Sequence, residues 1–216
     1  GRCVPPGWMG KLAQPSRKPR SCGKCFPPRK DKPQMNPQEP PENWSVEVTI
    51  RHLQRKDLPA LEWDGQYSHF RRVYAEAFER ALCGLSVLWV AELDSHGIIA
   101  QVFIQLNCRR PELADGDIRA YLYSFRVKPA FQCAGLGTRM LSVVEADLIF
   151  RGFKFVTLNV AKDNPRARSL YERLGYRVID QEPGVWTYID HTGQRRTMIE
   201  PAWRMEKLLA KTSFPA

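Results

Sequence analysis

Histidine is scarce in this chain, with four among 216 residues, and none precedes His52. That scarcity bears directly on metals. Cys22-Gly-Lys-Cys25 has the spacing of half a zinc site, but the one other nearby thiol is Cys3, and a tetrahedral structural site needs four ligands. No metal is expected. The remaining thiols, Cys83, Cys108 and Cys133, fall in unrelated contexts, so the six cysteines read as free thiols in a reducing compartment, not as a disulfide framework. Long apolar runs are missing too. No stretch reaches the length of a signal-peptide core or a membrane span, and the protein is expected to be cytoplasmic with no membrane partner.

Acidic and aliphatic residues are thin over residues 1–44, which hold nine Lys or Arg against three Asp or Glu and ten of the 17 prolines. A segment so composed buries too little apolar surface to offset its ordering entropy, and a disordered basic tail is expected there. The tail carries +6 of the net +10, leaving 24 basic residues against 20 acidic ones elsewhere. The rest of the chain is only mildly basic, and nucleic acid is not an expected partner.

Residues 45–210 carry the patterns of a single folded domain, with 211–216 as a short C-terminal tail. Val46, Val48 and Ile50 alternate with polar residues and predict a strand over 45–51. Asp57-Leu58-Pro59 predicts a short helix, with the aspartate in a cap-like position. Phe70, Val73, Tyr74, Ala77, Phe78, Ala81 and Leu82 recur at helical spacing over 68–83, up to Gly84. Apolar runs at 86–93 and 98–106 flank Asp94-Ser95-His96-Gly97 as a hairpin, and a central strand is expected over 119–128. After a helix lined by Met140, Leu141, Val144 and Leu148 comes a strand over 155–160, in which Thr157 and Asn159 either face a cleft or lie exposed at a sheet edge. A second helix sets Ala167, Leu170, Tyr171 and Leu174 on one face. Strands near 176–180, 185–189 and 203–208 follow, with residues 190–196 as a loop.

The stretch Gln132-Cys133-Ala134-Gly135-Leu136-Gly137 joins the central strand, which stops at Pro129, to the helix beginning near Thr138. Without Cβ atoms, Gly135 and Gly137 allow φ > 0 and close approach to a ligand, and the first-turn N–H groups lack intrahelical partners. Such donors at the positive end of a helix dipole form an anion site suited to phosphate. Taken alone, a glycine pair before a helix is equally compatible with a tight turn that binds nothing.

The order of the parts says more. Strand, Gln132-x-x-Gly135-x-Gly137, helix, strand, then Asn164-x-x-Ala167-x-x-Leu170-Tyr171-x-x-x-Gly175-Tyr176 resembles the signature of the GNAT family, the Gcn5-related N-acetyltransferases. The resemblance covers about residues 46–210; Cys133-Ala134 departs from it, since the family usually has a basic or small residue followed by glycine. It implies an α/β fold whose central mixed, largely antiparallel sheet has about seven strands and about four flanking helices. Two parallel strands splay apart to admit acetyl-CoA as co-substrate. Carried over, Phe125 and Val127 offer backbone groups to the pantetheine and acetyl carbonyl. Gln132 and the amides of Cys133, Ala134, Gly135, Leu136, Gly137 and Thr138 hold the pyrophosphate. Asn164 helps to place the cofactor and Tyr171 lies near the sulfur; Asn159, taken from the strand pattern above, is a further candidate for cofactor contact. The implied partner is an amine-bearing small molecule or protein acceptor, with a homodimer left open.

The implied chemistry is direct attack of a neutral amine on a thioester. A lysine-type amine has a reference pKa of about 10.4, so a proton must be removed first. A phenol such as Tyr171 can donate to the departing thiolate. The base is not legible: the strand over 119–128 holds no carboxylate, and Glu92, Asp117, His69 and Tyr123 all remain open. Two alternatives stay in play, a non-catalytic acyl-CoA-binding domain and a nucleic-acid module working through the tail.

Overall fold

A computed structural model describes residues 40–209. The segments 1–39 and 210–216, with Cys3 and the Cys22/Cys25 pair, lie outside the described residues. The strands are β1 Thr49–His52, β2 Ser86–Leu93, β3 Gly97–Gln105, β4 Arg119–Val127, β5 Phe155–Ala161, β6 Arg177–Glu182, β7 Val185–Ile189, β8 Arg195–Ile199 and β9 Ala202–Leu208. The α-helices are α1 Trp44–Glu47, α2 Arg71–Leu82, α3 Leu136–Phe150 and α4 Pro165–Arg173. Seven strands form one sheet in the order β1-β2-β3-β4-β5-β9-β6, and β7 with β8 form a separate hairpin. Every neighbouring pair is antiparallel except β4 and β5. This is the mixed, largely antiparallel sheet that the resemblance implied.

The two faces have separate cores. Val156, Leu158 and Val160 of β5 pack with Met140, Leu141, Val144 and Leu148 of α3 and with Tyr171 of α4. On the opposite face, Tyr74 and Phe78 of α2 meet Leu88, Phe103, Tyr121, Tyr123 and Trp186 of the β7–β8 hairpin. β3 is buried along all but its first residue, which suits a strand covered on both sides and explains why its sequence is apolar apart from Gln101 and Gln105.

The sheet opens between β4 and β5. Their pairing runs only from Arg119–Phe155 to Leu122–Leu158. Just beyond, β4 carries a bulge against β3, where Ser124 takes a left-handed φ of 50° and Gln101 Nε2 donates to its hydroxyl at 2.9 Å. A bulge bends its strand and raises the local twist, so the C-terminal third of β4 diverges from β5.

Three expectations need correction. The strand predicted over 45–51 is a helical turn, α1, followed by the shorter β1; Trp44 and Val48, four apart, are the buried positions, and Val46 is 83% exposed. Arg195 and Arg196, read as the end of a loop, instead open β8, whose exposed charges hid a strand that pairs with β7 and tucks Met198 against the α2 core. Thr157 does not face a cleft, because its hydroxyl donates to the carbonyls of Leu113 at 2.7 Å and Ala120 at 3.3 Å. The helix expected over 68–83 is present as α2, with a 3-10 turn, Ser68–Phe70, leading into it. Among the described residues, no helix is long and apolar enough to cross a membrane.

The hairpin that closes the α2 face depends on Gly184. Its φ is 68°, and an added Cβ would lie 1.7 Å from the Glu200 carbonyl oxygen. Glu200 N–H donates to the Gly184 carbonyl at 3.0 Å, so the contact cannot open without losing that closure. Gly184→Ala is therefore expected to lower the melting temperature by about 6 °C or more. A scanning-calorimetry shift below about 1 °C would contradict this account.

Candidate active site

The gap between β4 and β5 opens into a pocket of about 420 Å³. One wall is the loop into α3. Pro129–Phe131 forms a 3-10 turn, and the chain then reaches Gly135, whose φ of 82° sets the N-terminus of α3. Cys133 is also left-handed, at φ 64°. Gly137 is not, because it already lies in the first turn of α3; it matters for space. A Cβ there would sit 3.5 Å from Phe125 Cζ and 3.7 Å from Leu170 Cδ2, both of which line the pocket. Phe131 backs the loop and receives Trp44 edge-on at 4.9 Å, so the last residue of the expected tail belongs to the core.

The facing wall is α4. Asn164 caps it, its Oδ1 accepting from Ala167 N–H at 3.1 Å with Pro165 next in line. Arg166, Leu170 and Arg173 line the pocket at i, i+4, i+7 spacing, with Ala167 and Tyr171 beside them. The two arginines are exposed. Arg166 reaches across to donate to Cys133 Sγ.

The floor is the diverging end of β4. Lys128 N–H donates to the Ile99 carbonyl at 2.8 Å, so the preceding Ala100–Val127 pair is of the non-hydrogen-bonded kind. The Val127 N–H and carbonyl accordingly point away from β3, towards the gap. Gln132 Nε2 takes that carbonyl at 2.9 Å, which pins the loop to the strand end and leaves the Val127 N–H directed into the opening.

Tyr171 is fully buried, crossed edge-on by Tyr176 at 5.5 Å, yet its hydroxyl meets no hydrogen-bond partner. Burial raises its pKa far above the ordinary phenol value, and the nearby Tyr121 adds to the effect, so it stays protonated. A buried hydroxyl without a partner costs on the order of 1–3 kcal/mol. It is an unpartnered hydroxyl donor on a pocket wall.

Of the residues expected from sequence, Phe125, Val127, Gln132, Cys133, Gly135, Gly137, Thr138, Asn164 and Tyr171 come together around this pocket. Ala134 is exposed beside it and Leu136 is core, so neither side chain lines it. Asn159 lies outside it as well: by strand alternation it shares the face of Thr157, and both its amide atoms are buried without partners. Sequence reading missed Trp63, Tyr67, Arg126, Arg166 and Arg173. The α4 pair was detectable from its seven-residue spacing around Leu170. The other three come from the α2 side of the sheet and meet only through the fold.

The candidate bases separate. Glu92 accepts from Arg51 at 2.7 Å on the far edge of the sheet, and Asp117 is exposed in the turn before β4. Tyr123 is buried in the α2 core, where loss of water raises its pKa. His69 stands on the α2 side near Tyr67, their rings 6.2 Å apart, and burial with the charges of Arg126 and His191 keeps its imidazole neutral against the opposing pull of Asp190.

Several solved structures share this architecture. The ribosomal-protein-S18-alanine N-acetyltransferase of Escherichia coli aligns at 22% identity and a TM-score of 0.56, covering 78% of this chain and 99% of that one. The PaiA N-acetyltransferase of Thermoplasma acidophilum, in complex with coenzyme A, aligns at 17% identity and 0.54, covering 74% and 98%. The yncA protein of Salmonella typhimurium, with its cofactor acetyl-CoA, aligns at 18% and 0.57, covering 78% and 98%. The sequence model of the acetyltransferase (GNAT) family matches residues 49–176, from β1 through the glycine loop to the end of the α4 motif. With the split sheet, the loop before α3 and the capped α4 all inside that match, the chain belongs to the GNAT family of acetyltransferases.

Proposed function

We propose that this protein transfers the acetyl group of acetyl-CoA to a primary amine by direct attack. The carrying observation is the pocket at the β4–β5 split, where a phosphate-type loop, an inward amide at Val127 and the unpartnered Tyr171 hydroxyl share one cavity. Relatives in the same fold bind coenzyme A or acetyl-CoA. The pyrophosphate is assigned to the α3 N-terminus at Gly135, Leu136, Gly137 and Thr138, where amide donors and the helix dipole favour an anion. Phe125 and Leu170 frame the slot at Gly137 for the pantetheine.

Val127 N–H then serves as the donor for the carbonyl oxygen, which gains negative charge as the amine adds. Tyr171 donates to the departing thiolate. Burial raises the phenol pKa, but a thiolate in the same dry site is disfavoured too, so a hydrogen-bond donor gains in value there. The amine proton leaves through water on the α2 side, where His69 is neutral and able to accept.

The test is calorimetric titration with acetyl-CoA and coenzyme A, followed by thiol release in the presence of an amine panel. Binding without thiol release for any amine would favour a non-catalytic acyl-CoA-binding domain. Arg166 offers a second check. It stands in for the basic residue that the loop lacks at Cys133-Ala134, and a thiol is a weak partner, readily exchanged for phosphate. Arg166→Gln is expected to raise the coenzyme A dissociation constant roughly tenfold. The loss should shrink at high salt, which screens exposed charges. An unchanged constant at low salt would remove Arg166 from the phosphate site.

A further inference from the structure

Among the described residues, three arginines line the pocket and no carboxylate does. Arg166 and Arg173 belong to the α4 wall, which faces the α3 N-terminus where the cofactor phosphates are assigned. Arg126 is elsewhere: it leaves β4 on the opposite face, with its guanidinium 4.0 Å from the Tyr67 ring centroid and 5.2 Å from that of Phe70. One of its N–H groups donates to the Tyr74 hydroxyl at 2.5 Å. A guanidinium carries five such donors in a planar fork matched to a carboxylate.

Trp63 stands on the other side of Tyr67, the two rings edge to face at 5.3 Å. It ends the 3-10 turn Arg55–Glu62 in a left-handed conformation, φ 45°, a position that a bulky residue adopts only when its surroundings hold it there. The residue is 8% exposed and lines the pocket, yet its Nε1 meets no acceptor. Buried indole N–H groups usually find one. The adjacent carboxylate is committed elsewhere, since Glu62 accepts two bonds from Arg71 at 2.6 and 2.8 Å.

We propose that the Trp63–Tyr67–Arg126 end of the pocket receives the carboxylate of the acceptor, which is therefore a small amine of the amino-acid type and not a polyamine. This rests on the acetyl-transfer reading above. A carboxylate supplies the acceptor that the indole N–H lacks among the described residues, and it is attracted by the positive charge of the guanidinium beside it. The second ammonium of a polyamine would instead approach Arg126 with no carboxylate in the lining to receive it.

Matched substrate pairs test this: phenylalanine against phenethylamine, lysine against cadaverine, with spermidine included and acetyl-CoA binding measured separately by calorimetry. The carboxylate-bearing members are expected to show kcat/KM at least roughly tenfold higher. Trp63→Phe, which keeps an aromatic ring and removes the N–H, should raise KM for those members roughly fivefold while leaving KM for acetyl-CoA and for the decarboxylated amines unchanged. If that variant does not fold, Arg126→Lys provides the same comparison, keeping the charge and removing the fork. Preference for the decarboxylated amines or spermidine overturns the proposal, as does a protein that binds acetyl-CoA yet acetylates no carboxylate-bearing amine; the acetyl-transfer reading survives the first of these outcomes. Absence of acetyl-CoA binding removes that reading and this proposal together.

Discussion

Tyr171→Phe is expected to cut turnover by roughly ten- to a thousand-fold while changing acetyl-CoA affinity and melting temperature little. The ring holds the packing: it is fully buried and meets Tyr176 edge-on at 5.5 Å, and phenylalanine preserves both. Among the described residues the hydroxyl has no hydrogen-bond partner, so its removal relieves a desolvated group without breaking a contact. Stability should hold or rise slightly. A tyrosine kept for packing and bonding would behave in the reverse way, losing on the order of 1 kcal/mol of stability and leaving turnover intact. Single-turnover thiol release separates the cases, because it reports chemistry without product release. A phenylalanine variant with wild-type single-turnover rate would remove Tyr171 from the mechanism.

The contrast between Tyr171 and Trp63 shows what the sequence could carry. Tyr171 sits in a contiguous motif whose spacing is dictated by one helix, so Asn164 at the cap, Ala167 and Leu170 on the inner face and Gly175 at the end are all legible as a string. The glycine loop is local in the same sense: strand end, left-handed Gly135 and first helical turn follow one another directly. Trp63, Tyr67 and Arg126 reach the pocket from a 3-10 turn, a loop and the far side of a bulged strand, so only the fold brings them together. The bulge itself rests on Ser124 in a left-handed conformation, which no turn residue announces. Surface charge misled at β8, where alternation is masked by Arg195, Arg196 and Thr197, all exposed. Thr157 misled in another way: a polar residue on a buried strand does need a partner, but two backbone carbonyls supply it.

Gly137→Val is expected to weaken coenzyme A binding roughly a hundredfold, about 2.7 kcal/mol, with a melting temperature near that of the parent protein. The backbone at Gly137 is ordinary helix, so a side chain brings no left-handed strain. A single Cβ would make normal contacts with Phe125 and Leu170 at 3.5 and 3.7 Å, and Gly137→Ala should fold at least as well, since alanine is the better helix former by up to about 1 kcal/mol. Valine differs in where its two further methyls go. They extend from the first turn of α3 into the opening framed by Phe125 and Leu170, the slot assigned to the pantetheine beside the phosphate loop. Binding should therefore fall in steps from glycine to alanine to valine while stability stays nearly level. Calorimetric titration of both variants, paired with thermal unfolding, reads the two quantities apart. A folded Gly137→Val protein with parental coenzyme A affinity would move the cofactor away from the slot between Phe125 and Leu170.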